Sequence, residues 1–382
     1  MEEKPFLLSN EQRRYLGLMP VAPHWELVPL NDMFLYFDGD IIRKRITSDE
    51  TGYVEQELCE RTAEERRMLL PKTEKGKPKK LNYTATQSFS PFGVYFSFRK
   101  DDYVSISNYS TQTTYFSENA EEGDLSHLLN WLENWIKESS DTDLKEIEHF
   151  KTATRKHHKY KEGDFFAFKF SRRQWGFGRI LMDVAKLRKT EDFKKQKNYG
   201  LTHFMGKALI VKVYHKISDG LDVNLDELAS TLALPSEAVM DNHFYYGQNI
   251  IIGHQPLKIN ELDMLISYSR SISGQDKDTV YLQYGLIYLE TEISKFNKYL
   301  SEKGKGSYDH DNPYRNESIG YGLTDTHLER CIREKSNDSY WDPNHYTLRH
   351  DLRNPANQEI KKEIFSAFGL NADLDYIGNL NL

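Results

Sequence analysis

Asp241, His243 and His254 place a carboxylate and two imidazoles at the ends of an aromatic and aliphatic stretch, Phe244–Gly253. A carboxylate with imidazoles is what a general base or a divalent metal site requires, so these residues define a hydrolase reading. Their spacing matches no established ligand pattern, and histidines between short strands usually serve as satisfied structural groups. His345 and His350 stand five apart. Two ligands on one helix face need a spacing of three or four, and the neighbouring Asp342-Pro343-Asn344 points to a turn instead. The sequence contains no G-x-S-x-G elbow, no Walker A loop and no H-E-x-x-H helix. Gly176-x-Gly178 lacks the third glycine and the following helix of a dinucleotide fingerprint.

Recognition is the other chemistry on offer. Arg172, Arg173 and Trp175 cluster in a short stretch, and Arg and Trp are enriched among residues that dominate binding energy. The same types stack on bases and contact phosphates. The structural alternative has Trp175 packed beneath a hairpin and the arginines merely solvated. Tyr245 and Tyr246 join them as candidate contacts. Aromatics make up 13% of the chain, with 24 Tyr and 20 Phe. Such residues suit half-buried pleated surfaces, and Tyr also builds recognition surfaces at low entropic cost.

Charge is unevenly spread. Between Lys151 and Lys197 fifteen Lys or Arg face five carboxylates, a net of +10, which leaves −17 for the remainder of a chain whose total is −7. Segregated charge steers partners of opposite sign. Nucleic acid, an acidic protein face and the chain's own acidic regions are all consistent with the strip. Cys59 and Cys331 lie far apart and form no C-x-x-C pair, which disfavours a disulfide framework or a thiolate zinc site. No stretch approaches the roughly 20 apolar residues of a membrane span. The acidic start has no long apolar region typical of a secretory signal. A cytosolic location is the expectation.

The elements that must position these residues indicate an α+β fold of two or three domains, since 382 residues exceed one ordinary core. Strands are expected at Met33–Phe37, Ile41–Ile46, Val94–Phe98 and Val104–Ser107, the first two joined by the Asp38-Gly39-Asp40 turn. Pro71–Lys80 reads as a loop. A helix from Asp124 to about Glu138 should bury Leu125, Leu128, Leu129, Leu132, Trp135 and Ile136, with Trp131 off the stripe. A second helix is expected from about Asp143 to His158. A hairpin then runs from Phe165–Phe170 through Ser171–Gln174 into Trp175–Met182. Further strands are expected at Ala208–Tyr214, Phe244–Tyr246, Asn249–Ile252, Leu257–Ile259 and Thr279–Leu289, with a short helix around Asp226–Leu232. Helices at Thr291–Lys303, Thr326–Lys335 and Asn357–Phe368 follow, the last capped by Gly369. These readings give an α+β N-terminal domain over 1–158, a β-rich middle domain over 159–290, and a mostly helical C-terminal segment over 291–382 packed on the middle domain.

The hairpin also carries a resemblance. Lys161-x-Gly163-Asp164-Phe165-Phe166-Ala167-Phe168 followed by Gly176-Phe177-Gly178-Arg179-Ile180 resembles the opening of the immunity protein 26 family. Tyr246-Gly247 and Ile251-Ile252-Gly253-His254 are similar to that family's second half. The likeness spans roughly Lys161 to Glu290. It implies a bacterial polymorphic-toxin system, in which a cytosolic protein with no cofactor binds a cognate protein toxin and neutralises it by occlusion. The family is sometimes grouped with phosphotriesterases, but this chain lacks the H-x-H and clustered ligands of a binuclear hydrolase. Arg172, Arg173, Trp175, Tyr245 and Tyr246 are the expected binding residues. The alternatives are a nucleic-acid-binding module using 151–197 and a metal-dependent hydrolase using Asp241, His243 and His254.

Overall fold

Gly39, at φ +60°, turns the chain between two antiparallel strands, and this hairpin forms part of the larger sheet. The computed structural model describes residues 6–100, 103–119, 125–195, 200–271, 276, 278–300 and 312–382. Those residues form two compact units. The first runs through His157 and includes Tyr246–Gln248; the second comprises His158–Tyr245 and Asn249–Leu382.

In the first unit the strands are β1 (Glu26–Leu30), β2 (Met33–Asp38), β3 (Ile41–Asp49), β4 (Gly52–Ala63), β5 (Met68–Leu69), β6 (Lys79–Lys80), β7 (Phe92–Arg99), β8 (Tyr103–Asn108) and β9 (Thr113–Asn119). They are ordered β1-β2-β3-β4-β7-β8-β9, with β5 on β4 and β6 on β5. Alternation along β2 explains why the sheet is apolar on both sides. Met33, Leu35 and Phe37 enter one cluster with Ile42, Leu58 and Phe89. Phe34 and Tyr36 face the opposite one, with Tyr53, Phe96 and Ile106. That second face is covered by helices α1 (Asn10–Tyr15), α3 (Leu125–Glu138) and α4 (Asp141–Thr152), while α2 (Tyr83–Thr86) brings Ala85 to the first.

The second unit has a five-stranded antiparallel sheet in the order β13-β12-β11-β10-β14. Its members are β10 (Asp164–Lys169), β11 (Trp175–Asp183), β12 (Ala208–Ser218), β13 (Glu237–Met240) and β14 (Ile250–His254). A three-stranded sheet follows, β15 (Ile266–Arg270), β16 (Thr279–Tyr284) and β17 (Ile287–Glu292). Short helices α5 (Val184–Leu187), α6 (Glu191–Lys194), α7 (Leu225–Ala229) and α8 (Asn242–Tyr245) punctuate the strands. Then come α9 (Leu328–Glu334), α10 (Tyr346–His350), α11 (Gln358–Ala367) and α12 (Tyr376–Leu380). Ile364, Phe365 and Tyr376 share one core with Met182, Ile210, Tyr268 and Leu282. Gly320 bridges Val239 in parallel along the outer side of β13. No helix among the described residues is long and apolar enough to cross a membrane.

The α+β class is as expected, and several elements depart from the sequence reading. Phe244–Tyr246 is not a strand: Asn242–Tyr245 is one helical turn whose Phe244 and Tyr245 N–H groups return to Asp241 O. Leu257–Ile259 leads into a 3-10 turn, Ile259–Glu261, not a strand. Thr279–Leu289 breaks into two strands because Gly285, at φ +55°, reverses the chain. Over 291–300 β17 ends and turns follow instead of a helix, and 301–303 lie outside the described residues, as does Asp124. The helix expected to reach His158 stops at Thr152, where Ala153 turns extended. Leu129 is exposed, whereas Trp131 is half-buried, stacked on Phe96 and Trp135.

Candidate interaction site

The residues that carry the family resemblance hold the second unit together. Asp164 begins β10, where Oδ2 accepts from Lys161 N at 2.8 Å and Oδ1 lies 2.8 Å from His254 Nδ1. Gly163 takes φ +85°, which favours glycine, and a side chain there would also strike Gln255 O. Gly176 and Gly178 are needed for close packing: a Cβ on either would collide with the ring of Phe168 or Phe166 crossing over β11. Arg179, next along the strand, is wholly buried. Its guanidinium bonds to Glu261 and to Gln255 O and Pro256 O, and lies 4.3 Å from the Phe165 ring. Lys212 adds a bond to Glu261 O at 3.1 Å, and burial pushes its pKa down. A buried charge persists only when paired and hydrogen-bonded, and Glu261 and the carbonyls supply those partners.

The hydrolase candidates are brought to no common centre. Asp241 accepts from the Tyr160 hydroxyl at 2.5 Å and lies 3.6 Å from Lys207 Nζ. His243 packs edge-on against Tyr321, and burial lowers its pKa. His254 is held by Asp164 instead. Among the described residues no group of three or more His, Cys, Asp or Glu could hold a metal ion. His345 caps α10 by accepting from Leu348 N, and His350 Nδ1 meets Tyr346 O.

The recognition candidates lie in two places. Arg172 and Arg173 sit in the turn between β10 and β11, Arg173 exposed and Arg172 half-buried. Phe170 N donates to Gln174 O to close the turn, and Lys169 Nζ donates to Arg172 O. Trp175 is half-buried against a cluster that includes Phe165, Phe177 and Tyr214, with Lys169 Nζ 4.2 Å from its ring centre. Its packing role is plain, and the residue remains partly exposed. Tyr245 ends α8 with Lys207 Nζ 5.0 Å from its ring. Tyr246 belongs to the first unit, where Arg155 lies 5.7 Å from its ring and His157 packs beside it.

The basic strip is not one surface. Arg155 bonds to Ser110 O and Tyr109 O in the first unit, while Arg179 and Arg188 in the second are engaged with carbonyls or Glu261. Lys186 and Lys194 lie beside Asp183 and Glu191. Lys197 lies outside the described residues.

One polar assembly was invisible to the sequence reading. Arg353 grips Asp351 through Nε and Nη2 and reaches Ser236 Oγ and Asp263 with Nη1. Segments distant in the chain meet there, and no local spacing could reveal it.

No curated protein and no solved structure matches the chain. Residues 161–278 match the model of the family called immunity protein 26.

Proposed function

We propose that this protein is an immunity protein that binds a cognate protein toxin and neutralises it by covering the toxin's working surface. The match over residues 161–278 carries the reading. It is supported by how the matching residues are used: Gly163, Asp164, Gly178, Arg179 and His254 are committed to packing and pairing within the fold. The partner would therefore meet the surface that this framework presents.

The turn between β10 and β11 is the proposed anchor. Arg173 is exposed on it, Arg172 is half-buried beside it, and Trp175 is partly exposed with Lys169 over its ring. A rigid two-stranded support fixes these side chains before binding, which lowers the ordering cost of association. Arg and Trp are the types that most often dominate an interface. Tyr245 and Tyr246 are proposed as further contacts. The reaction class is binding, with no chemical step.

Co-expression is the direct test. The partner to try is a secreted protein with a variable C-terminal domain encoded beside this chain's gene. Intact protein should rescue cells from that toxin. Folded protein that leaves the toxin fully active would remove the immunity reading.

A further inference from the structure

The lysine-rich stretch Pro71–Lys80 has no part in the anchor described above, yet it builds a cleft in the first unit. The cleft holds about 220 Å³ and is lined among others by Leu69, Leu70, Pro71, Lys72, Lys77 and Lys79. Its apolar part comes from the end of β5. Leu69 is buried in the cluster that holds Leu58, Ala85 and Phe89, and Leu70 is half-buried. The turn beside it is tightly made: Gly76 N donates to Thr73 O at 3.0 Å, and a Cβ on Gly76 would strike the Pro71 side chain. Lys72 ties this turn to the body of the unit. Its Nζ donates to Ser88 O at 2.8 Å and to Ser90 Oγ at 2.6 Å, and lies 2.8 Å from the buried Glu60 carboxylate.

Of the three lysines lining the cleft, Lys72 is therefore neutralised. Lys77 and Lys79 are exposed and make no side-chain hydrogen bond or ion pair among the described residues. Their charge also stands out from its surroundings. Pro71–Lys80 carries five Lys against one Glu, a net of +4, whereas residues 1–157 together hold 21 Lys or Arg against 27 Asp or Glu, a net of −6. Such an island attracts a local group of carboxylates, but the acidic body around it repels a long polyanion. The lining contains no aromatic ring on which a nucleic-acid base could stack. Leucine and proline beside two ammonium groups suit instead a peptide whose apolar side chain stands between carboxylates. β6, which carries Lys79 and Lys80, pairs only with β5, and lysines at such a border also discourage another strand from adding there. That role asks for charge but not for a cleft.

We propose that this cleft docks an acidic segment of the protein partner, with carboxylates on Lys77 and Lys79 and an apolar side chain against Leu70 and Pro71. The partner's identity as a toxin rests on the function proposed above; the cleft's match to an acidic, partly apolar segment does not.

The test uses the full chain, labelled with 15N, and follows its amide signals at low salt during titration with a capped Glu-Glu-Leu-Glu-Glu peptide. Gln-Gln-Leu-Gln-Gln, equal in shape but uncharged, and Glu-Glu-Ser-Glu-Glu are the comparators, and a single-stranded oligothymidylate is the polyanion control. The first peptide should give saturable shifts, with binding about tenfold weaker for the glutamine peptide and about threefold weaker for the serine one. Lys77→Glu with Lys79→Glu replaces two attractions by repulsions and should weaken binding about tenfold. Lys75→Glu with Lys80→Glu changes the charge equally outside the lining and should weaken it about threefold or less. All four side chains are exposed, so both variants should keep the fold. No saturable response to the first peptide, or an equal response to either comparator, would overturn the proposal. So would equal losses in the two folded double variants, or tighter binding of the oligothymidylate. Failed toxin rescue with intact peptide binding would count against the immunity reading alone.

Discussion

Arg353 Nη1 lies 3.3 Å from Asp263 Oδ2, a bond that ties the C-terminal segment to the part of the chain matching the immunity family. Asp351, only 2% exposed at its side chain, depends on the same guanidinium. Arg353→Ala would leave Asp351 buried without its cation. Removing one member of a buried pair costs about 3 kcal/mol or more. Urea denaturation should show a loss of that size, with the slope unchanged.

The Arg179–Glu261 pair should behave as a unit. Glu261→Gln alone leaves Arg179 charged and enclosed, and about 3 kcal/mol of stability should be lost. Replacing both by apolar residues, Arg179→Met with Glu261→Leu, should recover much of it, because neither charge is then buried. A double-mutant cycle by chemical denaturation measures the coupling. Additive losses would show that the pair contributes nothing beyond its separate groups.

Glu55 should give the first unit an acid-sensitive component. Burial alone would raise its pKa, but Lys44 and Arg13, at 2.7 and 2.9 Å, hold the carboxyl below its ordinary value of 4.5. A group depressed in the folded state contributes stability that is fully present above the unfolded value and disappears as pH falls through the folded one. Wild type should thus exceed Glu55→Gln in stability at neutral pH. The gap should close as pH falls from the ordinary value of 4.5 through the depressed one. Denaturation midpoints at several pH values would reveal a constant gap if Glu55 were not depressed.

At the β10–β11 turn, Arg173→Ala should change stability by about 0.5 kcal/mol or less, since the side chain is exposed. If the turn is the anchor, Arg172→Ala with Arg173→Ala should cost about 2 kcal/mol in toxin affinity, roughly thirtyfold in Kd. Calorimetry against the toxin resolves that difference. A folded double variant with unchanged affinity would place the interface elsewhere.

What was legible follows from where apolar side chains lie in order. Met33–Phe37 and Phe165–Phe170 declare their strands because consecutive residues enter opposite cores. The twelve-residue β4, carrying Glu55, Gln56, Glu57 and Glu60, hides because its polar side chains are buried and paired with distant groups. Glu60, for example, holds Ser90 N and Lys72. Aromatic runs mislead in the opposite direction: Phe244–Tyr246 reads as a strand by composition, yet the backbone folds back on Asp241. The polar groups divide the same way. The arginines of the turn could be read from their position in a hairpin, whereas Ser236, Asp263 and Arg353 become neighbours only through tertiary folding.

Gly320 has a consequence for solubility. Its N–H donates to Ala238 O and its carbonyl accepts from Met240 N, at 2.8 and 2.9 Å, on the side of β13 away from β12. An exposed strand edge is a template on which another chain can add itself. Here the chain's own backbone occupies those groups and makes the border of the sheet self-terminating. A Gly320→Pro change removes the donor, and a side chain at that position also crowds Gly322 O. The freed border should then recruit a second molecule, seen as self-association that grows with protein concentration.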